Sequence, residues 1–328
     1  MTVLVTGATG FVGGAVARRL ARDGHDVRAL ARPSADAGCL AAAGVDVVRG
    51  DVRDPESLTL AVLGCSQVIH LAAAKAGPWK LLHDVNVRGT ANVLEAVRGT
   101  DVQRVVFAST LGVNGFVTGQ PLDERSPVRP NTPYRLSKGR AEQVARAALE
   151  REGAPVVIAR ISTVVGRGAR GWLPLARGIA AGRMRLIGDG TNAIDLVPIH
   201  DLADGLIRCA MTPKIDGRHY VLGAGASSTM AGFAASIAGV LGVPAPRPGL
   251  PAAPFRAALH AAAFVFRMTG VSSSYVHDRE VLVADKRATS THARTELGYD
   301  PRASVDDAVR AMVDGFIAAG QLPGCRLA

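Results

Sequence analysis

Residues Thr2 to Gly13 read Thr-Val-Leu-Val-Thr-Gly-Ala-Thr-Gly-Phe-Val-Gly, an apolar, β-branched run that meets three glycines and passes into an apolar-periodic stretch from Phe11 to about Arg22. Few folds accommodate that order. The run reads as a buried strand, the glycines as a tight turn, and the periodic stretch, opened by Phe11 and Val12, as a helix. Gly7, Gly10 and Gly13 let the backbone turn sharply and let a pyrophosphate approach the helix N-terminus, where free N–H groups and the helix dipole favour anionic charge. The first gap of Gly-x-x-Gly-x-x-Gly is wider than in the usual dinucleotide fingerprint, so the weight of the motif comes from its place between strand and helix.

The pattern then alternates. Strands are predicted near Val3 to Thr6, Val27 to Leu30, Val45 to Val48, Gln67 to Leu71, Val105 to Ser109 and Val156 to Arg160. Helices are predicted at Phe11 to Arg22, Pro55 to Leu63, His83 to Val97 and Pro133 to Glu152. Strands separated by helices of this length imply βαβ units and an α/β fold of the Rossmann type, a doubly wound parallel sheet. Ligands of such sheets bind at the carboxyl ends of the strands. Gly7, Asp51, Ala72 and Thr110 all stand at or just past predicted strand ends, so four segments should converge on one crevice. After Arg160 the alternation weakens, and Gly166 to Gly171, Gly188 to Gly190 and Pro244 to Pro254 read as loops. Pro254 to Thr269 is an Ala-rich helical stretch with Phe255, Leu259, Phe264, Phe266 and Met268. Such a stripe belongs either to the core or to the wall of an apolar pocket.

Tyr134 and Lys138 stand four residues apart in Pro-Tyr-Arg-Leu-Ser-Lys, on one face of a predicted helix. A phenol ionises near pH ~10, and a neighbouring cation favours its phenolate. The other tyrosines, Tyr220, Tyr275 and Tyr299, have Ala224, Arg279 and Ala303 at the matching position.

Together these features resemble the extended short-chain dehydrogenases/reductases, also called NAD-dependent epimerase/dehydratases, and within them the hydroxysteroid-dehydrogenase and ketoreductase-like members. Gly7, Gly10 and Gly13 match the cofactor glycines, Gly50-Asp51-Val52 the adenine-contacting acidic position, and His70-Leu71-Ala72-Ala73 the segment that passes over the cofactor. Asn86 matches a family asparagine. Phe107-Ala108-Ser109-Thr110 ends where the family carries a catalytic Ser or Thr, and Thr110 aligns better than Ser109. The chain departs from the family at Asn114, where many members have Tyr, and at Ile161, where many have Pro. The resemblance implies a cofactor-binding domain over residues 1–160 and a mainly substrate-binding region over 161–328, interleaved with the first. It also implies a homodimer formed through the helices His83 to Val97 and Pro133 to Glu152.

The mechanism implied is hydride transfer coupled to proton transfer, with Tyr134 as acid or base, Thr110 on the reacting oxygen, and Lys138 on the nicotinamide ribose and biasing Tyr134 toward phenolate. Asn86 either orients a proton-relay group or makes a structural bond from helix to loop. Cofactor choice turns on the end of the second strand, Ala31-Arg32. Arginine there accommodates a 2′-phosphate, so NADP is favoured over NAD, while Arg28 points elsewhere. Three readings stand: an alcohol or ketone oxidoreductase on a relatively apolar small molecule, a sugar-nucleotide epimerase or dehydratase, and a cofactor-sensing regulator without chemistry. Sugar-nucleotide members usually carry an arginine where this chain has Ile194, which favours the first, although Arg167, Arg170 or Arg177 could substitute.

The net charge of +10 invites a nucleic-acid reading, but the cations are nearly all arginines spread along the chain and aromatics are only 4%. The basic block and stacking platforms that nucleic-acid binding needs are lacking. Cys39, Cys65, Cys209 and Cys325 show neither disulfide nor zinc spacing, and no metal is expected. The first strand starts at residue 2 and no apolar run reaches spanning length, so a cytoplasmic protein is expected.

Overall fold

The computed structural model describes residues 1–115, 120–225, 227–269 and 282–323. Tyr275, Arg279 and Cys325 lie outside the described residues, as does the side chain of Phe266. Six strands fall where they are predicted: β1 (Thr2–Thr6), β2 (Asp26–Ala31), β3 (Asp46–Arg49), β4 (Gln67–His70), β5 (Arg104–Thr110) and β6 (Val156–Ile161). A seventh, β7 (His219–Leu222), comes from beyond residue 160 and completes the edge beside β6. All pairings are parallel, in the order β7-β6-β5-β4-β1-β2-β3.

Strand alternation divides the core in two. Val3, Val5, Val106 and Val157 point to the side covered by helices α1 (Phe11–Arg22) and, later in the chain, Ile199–Met211. Leu4, Val105 and Phe107 point to the other, covered by α2 (Pro55–Val62), α3 (Gly89–Ala96) and α4 (Pro133–Glu152). Burial on both faces accounts for the near-continuous apolar runs in the sequence. A third core joins Leu173–Ala180, Met230–Leu241 and Val305–Ala318 through Ala176, Ile179, Phe233 and Phe316.

From β1 the chain winds outward through β2 and β3, then returns to β4 on the other side and winds away through β5 and β6. The order therefore reverses between β1 and β4, where a crevice opens at the carboxyl ends. Two expectations, one of a loop and one of a helix, need correction. The Pro244 to Pro254 segment holds a short strand, Arg247–Leu250, parallel to Arg185–Ile187, because its backbone finds an open edge there despite its prolines. The single helix predicted over His83 to Val97 is a turn at Trp79–Leu82, a π-helical turn at His83–Arg88, and only then α3.

Candidate active site

Gly7 ends β1 with φ of +71°, and a Cβ there would lie 2.6 Å from the Ala72 backbone nitrogen. Only glycine allows both the turn and that approach. A Cβ on Gly13 would meet the Gly7 carbonyl at 2.2 Å, so α1 packs directly on the turn. Gly10 caps α1 without a side-chain bond, and the first helical turn contains no acid. The N–H groups of Phe11, Val12 and Gly13 precede the first intrahelical bond and remain available to an anion. The Phe11 side chain is not part of this cradle; it packs toward the third core and against Gly168. Val12 packs on the first core. What both offer the crevice is backbone.

The segment after β4 is held by a chain of hydroxyls. Ala72 N–H donates to Thr6 Oγ1 at 3.2 Å, Thr6 Oγ1 meets His70 Nδ1 at 2.7 Å, His70 Nε2 meets Thr90 Oγ1 at 3.1 Å, and Thr90 donates to the Asn86 carbonyl at 2.6 Å. Because the Thr90 proton is committed to Asn86, the consistent assignment places the His70 proton on Nε2 and leaves Nδ1 to accept from Thr6. Burial, reinforced by the Lys138 charge, pushes His70 down to about 3, so the ring is neutral. Leu71 N–H bonds to the Thr6 carbonyl, Leu71 and Ala72 are half-buried, and Ala73 is exposed. Asn86 grips Ala74 by both its N–H and its carbonyl, each at 2.8 Å, and donates to Ser137 Oγ at 2.8 Å. This is the structural bond from helix to loop. It sits in the π-turn, a deviation that recurs at functional sites.

At the outer strands, both carboxylate oxygens of Asp51 are taken by Arg53, at 3.0 and 2.8 Å. That bond, opposed by partial burial and assisted by the Arg32 charge, keeps Asp51 below the usual carboxylate range. Arg53 is a residue the sequence reading missed, and its spacing to Asp51 was the available signal. Val52 is buried, its carbonyl bonded by Asn92. Arg32 is exposed at the mouth of the crevice. Arg28 points away, to Asp46 and the carbonyls of Ala61 and Leu63.

At the end of β5, Ser109 and Thr110 face opposite ways. Ser109 is buried and donates to Glu142 at 2.6 Å, and Glu142 is also clasped by Arg160 at 3.0 and 2.8 Å. Thr110 is half-buried and accepts from Gly112 N–H. Thr110 is therefore the hydroxyl left toward the crevice. Asn114 uses its amide to hold the carbonyls of Ser126 and Pro127, a loop-fastening role.

Tyr134 lies in the first turn of α4, set by the Thr132 cap and by Pro133. A Cβ on Gly112 would lie 2.8 Å from Arg135 Nε, so the turn after Thr110 lies against the residue next to Tyr134. Desolvation pushes the half-buried phenol up to about 12, with Arg135 opposing. Lys138 is 2% exposed, and its ammonium lies 4.1 Å from the centre of the Phe107 ring. Burial pushes it down to about 7 against the support of Glu142. The charge that lowers the phenol is Arg135, and burial outweighs it, while the Lys138 ammonium lies over the Phe107 ring.

These cradles and cations fit a dinucleotide, and the comparisons agree. Residues 3–223 match the NAD dependent epimerase/dehydratase family. The chain belongs to that family. It is 32% identical to a 2-alkyl-3-oxoalkanoate reductase of Stenotrophomonas maltophilia, over 95% of this chain and 98% of that one. It is 29% identical to a 4-hydroxy-2-methyl-3-oxo-4-farnesyl-3,4-dihydroquinoline-1-oxide ketoreductase of Stigmatella aurantiaca, over 95% and 96%. The crystal structure of gox2253 superposes with a TM-score of 0.83 at 28% identity, covering 98% of this chain and 99% of the other. That of a UDP-glucuronic acid 4-epimerase from Bacillus cereus shares the fold, with a TM-score of 0.78 at 22% identity over 97% and 99%. This member is an enzyme of the extended short-chain dehydrogenase/reductase type, dependent on a nicotinamide dinucleotide.

On the substrate side, Ile194 is fully buried in the third core. Of the arginines considered as substitutes, Arg177 bonds the Gln321 carbonyl and Arg167 packs over Gly315, both toward the C-terminal helices, while Arg170 is exposed. A cavity of about 400 Å³ lies between Gly188 to Asn192, residues 283–287 and the helix Ala252–Thr269, with Ile187, Leu259 and Val283 as its apolar part and Asp189, Asp285, Arg256 and Arg287 as its charged part. The helix lines it through Leu259, not through Phe264 or Met268, which are exposed. Neither the core nor the pocket reading of those two residues holds.

Proposed function

We propose that this enzyme interconverts a secondary alcohol and a ketone on a relatively apolar small molecule, with NADPH as the favoured cofactor and reduction as the favoured direction. The α1 N-terminus would hold the pyrophosphate, Asp51 and Val52 would line the adenine, Leu71 to Ala73 would pass over the cofactor, and Lys138 would bind the nicotinamide ribose. Arg32 would pair with a 2′-phosphate through charge-assisted bonds. The cofactor supplies the hydride. Thr110 orients the carbonyl oxygen by a hydrogen bond, and Tyr134 donates the proton that converts it to a hydroxyl. A phenol pushed up to about 12 is fully protonated at neutral pH, the state a general acid requires.

The observation that carries the substrate class is Ile194. A diphosphate needs charge-assisted hydrogen bonds worth roughly 1.5–3 kcal/mol each, and an isoleucine buried in the core supplies none. The names of the relatives acting on oxo compounds over nearly the whole chain support the same reading. Oxidation of NADPH against a panel of hydrophobic ketones, beside calorimetric titration with UDP- and dTDP-sugars, tests it. Ketone-dependent oxidation with no sugar-nucleotide binding tighter than millimolar is the expected result. Micromolar binding and epimerisation of a nucleotide sugar would replace this reading with the epimerase one. A homodimer through α3 and α4, with the chain divided near residue 160, belongs to the same proposal.

A further inference from the structure

The helix Ala252–Thr269 presents an apolar stripe to solvent. Ala257, Ala258, Ala261, Phe264, Val265 and Met268 recur at three- and four-residue spacing and all are exposed, Phe264 to 56%, Val265 to 48% and Met268 to 70%. The opposite face is the one that packs, with Leu259 buried against Ile187 and Val283. A water-soluble helix normally places these faces the other way round.

Cations edge the stripe: between Gly217 and His277 the sequence contains no aspartate or glutamate and carries Arg247 and Arg256, with Asp189 of the neighbouring loop facing Arg256 on the cavity side. Arg256 and His260 are exposed along one flank of the stripe. The preceding strand ends at Leu250, 43% exposed, and places Arg247 in register with Arg185, both exposed. Of the described helices none is long and apolar enough to cross a membrane. An apolar stripe edged by cations is the composition of a helix that lies in the plane of a lipid interface.

We propose that this helix docks peripherally on an anionic lipid surface, its stripe at the boundary of headgroups and acyl chains and the arginines against lipid phosphates. Charge selects this occupant over a second copy of the chain. A two-fold contact through the stripe would bring Arg256 and Arg247 of one copy against the cationic face of the other, whereas anionic headgroups neutralise them. The inner face of the same helix lines the cavity through Leu259, so docking would bring that cavity close to the acyl layer. The inference does not depend on which reaction the enzyme catalyses.

The test is co-sedimentation of the full chain with phosphatidylcholine vesicles, with and without phosphatidylglycerol in equal parts. The wild type is expected to pellet with the anionic vesicles, to bind neutral ones at least tenfold more weakly, and to be released from the anionic ones as salt screens the arginines. Met268→Glu and Val265→Glu, each at an exposed position, should lose vesicle binding at least tenfold while keeping wild-type circular dichroism and NADPH binding. Arg247→Gln should weaken binding to anionic vesicles alone. Wild type left in the supernatant with anionic vesicles, or glutamate variants that pellet like wild type, would overturn the proposal. So would dissolution by these variants of a dimer seen by ultracentrifugation without vesicles, which would assign the stripe to a second copy.

Discussion

Replacing Lys138 by methionine should stabilise the cofactor-free protein at pH 6 while abolishing its function. The ammonium is 2% exposed and burial pushes it from 10.5 to about 7. At about 1.4 kcal/mol per pH unit of displacement, that burial costs roughly 5 kcal/mol when the lysine is charged. That displacement already contains the contact of the ammonium with the Phe107 ring, so a thioether chain of similar length, which avoids the cost, gains up to about 5 kcal/mol. The sign follows from proton binding. Between pH 7 and 10.5 the unfolded lysine holds its proton and the folded one has lost it, so wild-type stability rises with pH through that window. The advantage of Lys138→Met is therefore complete below pH 7 and fades to nothing near pH 10.5. Urea denaturation of both proteins without cofactor, followed by circular dichroism from pH 6 to 10, reads the difference directly. A difference that does not change with pH, or a variant less stable than wild type at pH 6, would refute the reasoning.

Glu142→Ala should destabilise by about 3–5 kcal/mol, because it leaves the Arg160 guanidinium, clasped at 2.8 and 3.0 Å, buried without its partner; thermal and urea unfolding check this. Arg32→Ala should weaken NADPH binding roughly tenfold or more and leave NADH nearly unchanged, since only the 2′-phosphate loses a partner; fluorescence titration of both cofactors reads it, and equal wild-type affinities would sink the NADP assignment. Asn86→Ala should cost about 1–3 kcal/mol by leaving the Ala74 backbone groups without their amide, with hydrogen exchange at Ala74 rising first.

The parallel sheet was legible because its inner strands are buried on both faces and therefore read as apolar runs bounded by glycines. The glycine cradle was legible for a related reason: Gly7 and Gly13 each stand where a Cβ would strike backbone. β7 was hidden because its residues, His219–Leu222, lie beyond Arg160, where the strand–helix alternation that marked the equally short β3 and β4 weakens. The state of the Tyr-Lys pair was hidden more deeply. Spacing places Lys138 on the face of Tyr134, but only packing reveals that Phe107 holds the ammonium and that burial raises the phenol. The Ala252–Thr269 stripe misled because periodicity locates an apolar face without stating which way it points.

The most direct test of proton donation by Tyr134 is the Tyr134→Phe variant, measured for turnover and for NADPH binding in the same preparation. The change removes the phenolic hydroxyl and almost no volume. Turnover of the best ketone substrate should fall by ~10²–10⁴, the usual loss for a general acid, with cofactor affinity nearly unchanged. Retention of near-wild-type kcat would contradict the mechanism.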